Sequence, residues 1–131
     1  MYCEQNFANE KESGEKIREF IEKHCSDNCV SPAKATKISI CADEIVSIII
    51  RYSRAHLITV TISGSDSTVV TIAFADDGIP FNPLKETKDF DSTVPPEERP
   101  VGGMGVFLVK KMMKEVTYRR EKDTNIFTIA I

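Results

Sequence analysis

The sequence has no tryptophan, and its ten aromatic residues are seven Phe and three Tyr. A base-stacking platform would have to rest on very few rings. Basic charge is not in excess either: 17 Lys and Arg stand against 20 Asp and Glu, a net charge of −3. Direct nucleic-acid binding and binding to an anionic membrane surface are therefore not expected. No apolar run reaches the roughly 18 residues that a membrane-spanning helix requires. Met1-Tyr2-Cys3-Glu4-Gln5 has neither a basic nor an apolar signal region, so no secretory signal is expected. Glycine and proline, six each, are too few for a collagen-like or low-complexity chain. Cys3, Cys25, Cys29 and Cys41 include no CxxC pair, and no HxxxH pair completes a zinc site. The expectation is reduced thiols in a cytoplasmic protein.

What is present suits one globular domain over residues 1–131, with 41% hydrophobic and 28% charged residues. A chain of this length can bury roughly two thirds of its unfolded surface. The first dozen residues are polar and show no period. From about Glu15, Ile17, Phe20 and Ile21 recur at helical spacing, and the pattern fades near Cys25. Ser31-Pro32 is a helix start, with serine as N-cap and proline in the first turn. Ile38, Cys41, Ala42, Ile45, Val46, Ile49 and Ile50 then form a broad apolar face on a helix running to about Tyr52 or Ser53. Leu57–Ser63 and Thr68–Ala75 read as an antiparallel hairpin around Gly64-Ser65-Asp66. Residues 76–100 hold five of the six prolines and form a long loop of the kind that usually serves a function. A helix from Val106 and a second hairpin, Val116–Arg120 with Ile126–Ile131, close the chain. No internal repeat is visible. Helices and two hairpins predict a two-layer α/β sandwich.

Three places can carry chemistry. Asp43-Glu44 sits on the apolar central helix, where a carboxylate is costly unless exposed, paired or liganded. Asp76-Asp77-Gly78-Ile79-Pro80 follows a hydrophobic strand, and reads either as an ordinary turn or as a carboxylate facing a cleft. Gly102-Gly103-Met104-Gly105 precedes a helix, and is either a hinge and cap or a cradle for phosphate. It is neither a Walker A loop nor a GxGxxG fingerprint.

Taken in this order, the three resemble the GHKL ATP-binding fold of histidine kinases, gyrase B, mismatch-repair ATPases and heat-shock chaperone ATPases. The resemblance is greatest to the small serine/threonine kinases that act as bacterial anti-sigma factors. It spans roughly residues 15–131 and is most specific at 76–83, 97–105 and Thr124-Asn125. It implies a mostly antiparallel Bergerat-type sheet covered on one face by helices. It implies ATP as ligand, with Asp76 accepting from the adenine amino group and Gly78 lying against the purine. Gly102, Gly103 and Gly105 would wrap the phosphates, residues 81–100 would form the lid, and Glu44 would act as general base.

One position departs from the pattern. The family places a Mg²⁺-binding asparagine four residues after the glutamate, and here that residue is Ile48. Ser47 is one residue off and rotated by about 100° around the helix, and Asp43 also points elsewhere. This leaves Mg²⁺ binding undecided and opens a second reading, a pseudokinase acting as a binding module. Arg51 either ends the helix favourably or reaches a phosphate, and Arg99 in the lid is open in the same way. His24 and His56 lie outside the motifs, so autophosphorylation on histidine is not expected. What the resemblance implies is partner switching with a sigma factor or a STAS-domain antagonist, with phosphorylation of that antagonist as the chemistry. Homodimerisation is also common in the family, and the early helices carry apolar residues suited to it.

Overall fold

The segment without a period in the sequence is a strand. In a computed structural model that describes residues 2–86 and 103–131, β1 (Tyr2–Ala8) pairs antiparallel with β2 (Leu57–Ser63), and only Phe7 of β1 is buried. The strand lies at the sheet edge, where alternation is not enforced by burial on both faces. This adds one element to the sequence-based order.

Helix α1 (Ser13–Asp27) buries Ile17, Ile21, His24 and Cys25, one stripe at helical spacing. Helix α2 (Pro32–Ile48) starts as its sequence predicts: the Ser31 side chain accepts a hydrogen bond from the Lys34 N–H, and Pro32 occupies the first turn. Ile38, Cys41, Ala42, Ile45, Val46 and Ile48 are buried along it. The helix does not simply run on to Ser53. Residues Ile49–Ser53 form a π-helical turn, which Arg54 ends in the left-handed region at φ 56°.

The sheet continues through β3 (Thr71–Asp76), β4 (Glu115–Glu121) and β5 (Thr124–Ala130), in the order β1-β2-β3-β5-β4. Every neighbouring pair is antiparallel. Strand β3 starts at Thr71 rather than Thr68, because Ser65 and Thr68 close the preceding turn through N–H and hydroxyl bonds. A single turn, α3 (Pro83–Glu86), precedes the undescribed stretch, and α4 (Gly103–Met112) follows it.

Ile58, Val60 and Ile62 of β2, Ile72 and Phe74 of β3, and Phe127 and Ile129 of β5 line the buried face and pack with α1, α2 and α4 in one core. Each such side chain contributes roughly 1.5–3 kcal/mol when fully buried. The architecture is the expected α/β two-layer sandwich, an antiparallel sheet with helices packed on it. Among the described residues no helix is long and apolar enough to cross a membrane.

Candidate functional site

The buried face of β3 reads Ile72, Phe74, Asp76, and its partner β5 reads Ile129, Phe127, Asn125 in register. Two apolar rows therefore end in a polar pair, Asp76 opposite Asn125, each only 3% exposed. A buried carboxylate is tolerated only when hydrogen-bonded. Asp76 Oδ1 accepts from the Gly78 N–H and from Asn125 Nδ2, both at 3.0 Å.

Asn125 is the hub of this end. Its amide nitrogen also donates to the Ile79 carbonyl at 2.7 Å. Its Oδ1 accepts from the Phe81 N–H at 3.2 Å and from the Tyr118 hydroxyl at 2.5 Å. Both donors and both lone pairs of the amide are thus used. The backbone partners also fix which way the amide points.

The loop after β3 is anchored to the π-helical turn. The Ile79 N–H donates to the Ser53 carbonyl at 2.7 Å, and an Arg120 guanidinium nitrogen donates to the Gly78 carbonyl at 2.8 Å. A Cβ on Gly78 would lie 2.1 Å from the Ser53 carbonyl oxygen, so only glycine fits this approach. The neighbouring carboxylate has a different task. Asp77 Oδ1 accepts from the backbone N–H groups of His56 and Leu57 and fastens the start of β2. Those bonds, Leu57's foremost, hold its carboxyl below the usual aspartate range.

Around Asp76 lie Ile48, Ile49, Ser53, Phe81, Tyr118 and Asn125. The free space among them is about 10 Å³, room for roughly one water molecule. Phe81 stacks on Tyr52 with ring centroids 5.0 Å apart and an interplanar angle of 19°. A roomier concavity, about 630 Å³, lies elsewhere, between α1 and α2 beside Arg18, Asp43 and Arg51.

One turn before Ile48 on α2, Glu44 meets helix α4. A Cβ on Gly105 would lie 2.4 Å from Glu44 Oε2, so the carboxylate rests against the first turn of α4. The same carboxylate contributes to Cys41, whose thiol is pushed up to about 11, first by burial and then by the charge of Glu44. Helix α4 begins at Gly103, so Gly103 and Gly105 belong to its first turn rather than to a loop ahead of Val106. Gly102, Arg99 and lid residues 87–100 lie outside the described residues.

The structure therefore brings Glu44 to Gly105 and places Asp76 beside Gly78. Asp43 takes the bland reading: it is half-exposed and pairs with Arg18 at 2.6 Å. Arg51 is exposed in the π-helical turn, with a nitrogen 3.4 Å from the Ser47 hydroxyl. Ile48, 5% exposed, is a wall of the cavity beside Asp76 and offers no donor atom to a cation. Among the described residues no group of three or more His, Cys, Asp or Glu side chains converges on one point. A Mg²⁺ ion at this place would draw its ligands from nucleotide phosphates and water rather than from Ile48. Sequence reasoning held no hint of Ser53, Tyr52 or Tyr118 at this end, placed Phe81 only at the start of the lid, and gave Asn125 no role. One signal for Asn125 was readable: a lone polar residue continuing the row of Ile129 and Phe127.

A profile of the family described as histidine kinase-like ATPase domain matches residues 7–131. No curated protein matches the sequence. Among solved structures, the fold is similar to the RsbU and RsbW domains of Rv1364c from Mycobacterium tuberculosis. The TM-score is 0.69 at 10% identity, covering 99% of this chain and 31% of that one. It is also similar to the SiaB–SiaC complex from Pseudomonas aeruginosa, with a TM-score of 0.64 at 12% identity, covering 98% of this chain and 88% of that one. At such identities the likeness is one of fold.

Proposed function

The chain belongs to the histidine kinase-like ATPase domain family, and on that premise we propose that it is an ATP-binding regulatory protein of the anti-sigma-factor kinase type. Residues 1–131 act as one ATP-binding domain, working by partner switching in the cytoplasm. The observation that carries this reading is the buried Asp76 carboxylate, held by Gly78 and Asn125 at the end of an otherwise apolar sheet face. A carboxylate fixed in that way accepts from an exocyclic amine and selects adenine. Gly78 leaves room for the base. Gly102, Gly103 and Gly105 are the phosphate-binding glycines in this reading, and the dipole at the amino end of α4 favours negative charge there.

Glu44 is the general base in this proposal. Its carboxylate rests on the turn that would carry the terminal phosphate. From there it can take the proton of a serine hydroxyl while the hydroxyl oxygen attacks the phosphorus of that phosphate, the bond to the bridging oxygen breaks and ADP leaves. The acceptor is a serine of a STAS-type antagonist, and a sigma factor is the competing partner. The fold similarity to the RsbU and RsbW domains and to the SiaB–SiaC complex supports a protein partner. A second copy of the chain is a further partner in this reading.

Ile48 favours a second reading. Its aliphatic side chain occupies the turn where a metal-holding amide would sit. In that reading the chain binds nucleotide weakly or not at all and switches partners without phosphoryl transfer.

Calorimetric titration with ATP and ADP, each with and without Mg²⁺, tests the first reading. Binding in the micromolar range is expected, and no heat at millimolar nucleotide would reject it. The Ile48→Asn variant separates the two readings. A Mg²⁺-dependent rise in ATP affinity of about tenfold or more, the scale of one charge-assisted contact, is expected if the site has been degraded. An unchanged, already tight affinity would exclude the pseudokinase.

A further inference from the structure

The space beside Asp76 is closed, and Phe81 is one of the residues that close it. Asp76 lies at the edge of a cavity holding about 10 Å³, whereas pockets for drug-sized ligands run to hundreds. Phe81 contributes to this closure in two ways. Its ring stacks on Tyr52 at 5.0 Å, and its N–H takes one lone pair of Asn125 Oδ1 at 3.2 Å. The Tyr118 hydroxyl takes the other lone pair, and both Asn125 amide hydrogens are committed to Asp76 and Ile79. The closed arrangement leaves no free valence on Asn125 and no volume for a base.

We propose that Phe81 is an intramolecular plug of the purine subsite, held by Tyr52 and Asn125, and that nucleotide binds only after Phe81 has left. The proposal rests on the reading of Asp76 as the purine-binding carboxylate. Phe81 itself belongs to neither a strand nor a helix. It lies between the anchored loop ending at Ile79 and the single-turn helix α3, whose start is capped by Asn82 Oδ1 accepting from the Leu84 N–H at 2.9 Å. Departure of Phe81 opens the cavity and frees one lone pair of Asn125 Oδ1. The incoming ligand must then bring an N–H donor to replace the one removed, since an orphaned buried acceptor is costly. An amino-bearing purine does so.

Closure of this kind reduces apparent affinity by the fraction of molecules that are open. Removing the ring shifts the equilibrium toward open by the worth of one stacked aromatic pair, about three- to tenfold. The Phe81→Ala variant should therefore bind ADP and adenosine more tightly by about that factor. The factor should be the same for both, because the plug touches the purine and not the phosphates. The Phe81→Trp variant reports the motion directly, since the chain has no other tryptophan. Saturating ADP should shift its indole emission to the red and raise its quenching by iodide.

If ADP binds the wild type while Phe81→Ala binds equally or more weakly, the plug is rejected. An indole that stays shielded in the ADP complex rejects it as well. If neither the wild type nor Phe81→Ala binds millimolar ADP or adenosine, the nucleotide reading itself fails and the plug falls with it. Calorimetry and fluorescence together separate these failures.

Discussion

Two glycines mark the two ends of the candidate site, and they are crowded by different things. At Gly78 the neighbour is a backbone carbonyl, that of Ser53, 2.1 Å from where a Cβ would sit. At Gly105 the neighbour is the tip of a side chain, Glu44 Oε2, at 2.4 Å. Backbone locked in a hydrogen-bonded turn cannot yield, whereas the end of a glutamate side chain can. The proposed purine end is therefore built by main chain, by Asn125 and by strand register. The proposed phosphate end is bordered by the tip of a side chain. A site made this way is rigid where it recognises and adjustable where chemistry would occur.

Substitutions can break that contrast. The largest effect is expected for Gly78→Ala, which forces a methyl group into the Ser53 carbonyl. Thermal or urea unfolding should show a loss of about 3 kcal/mol, the upper range for overpacking. A loss under about 1 kcal/mol would mean that the loop gives way after all. Next comes Asp76→Asn, which keeps the shape and removes the charge. ADP affinity should fall at least about tenfold, the worth of a charge-assisted bond, with calorimetry as the readout. Unchanged affinity would remove Asp76 from the site.

Gly105→Ala sharpens the contrast by its mildness. Glu44 moves aside, and alanine gains about 1 kcal/mol of helix propensity over glycine. Stability should stay within about 1 kcal/mol of the parent, and a larger loss would show that Glu44 is as fixed as the Ser53 carbonyl. Asp77→Asn should have the smallest effect. The folded-state pKa of Asp77 is depressed, so its contribution is present above the unfolded value and disappears as pH falls through the folded one. Stability measured from pH 5 down to 2 should fall less steeply in the variant, while ADP binding at pH 7 stays as in the parent.

Much of this was legible in the sequence. Ser31-Pro32 announced α2, and the apolar rows announced β2 and β3, because those elements bury one face each. Strand β1 was not legible, because an edge strand burying only Phe7 imposes no alternation. The π-helical turn was hidden for another reason: Ile48, Ile49 and Ile50 read equally well as one continuous helix. Within the site, Glu44, Asp76 and Gly78 stood out as residue types in unusual company. Asn125 and Phe81 stood in family-like stretches but without the contacts they make, and Tyr118 did not stand out. Their roles come from β3 pairing with β5 and from the fold-back of the loop after Asp76, and neither is written in local spacing.

The π-helical turn at the end of α2 also sets a length. Glu44 stands at one end against α4, and nine residues later the Ser53 carbonyl holds the loop that carries Gly78. At about 1.5 Å per residue in the α-helix and less in the π-helical turn, the axial rise between these two residues is under about 13 Å. Helix α2 and its π-helical turn thus work together as a ruler between the proposed base end and the proposed phosphate end. An insertion or deletion anywhere between them would alter the distance and rotate one terminus about the other. The two halves of the site would then no longer be in register with a single ligand.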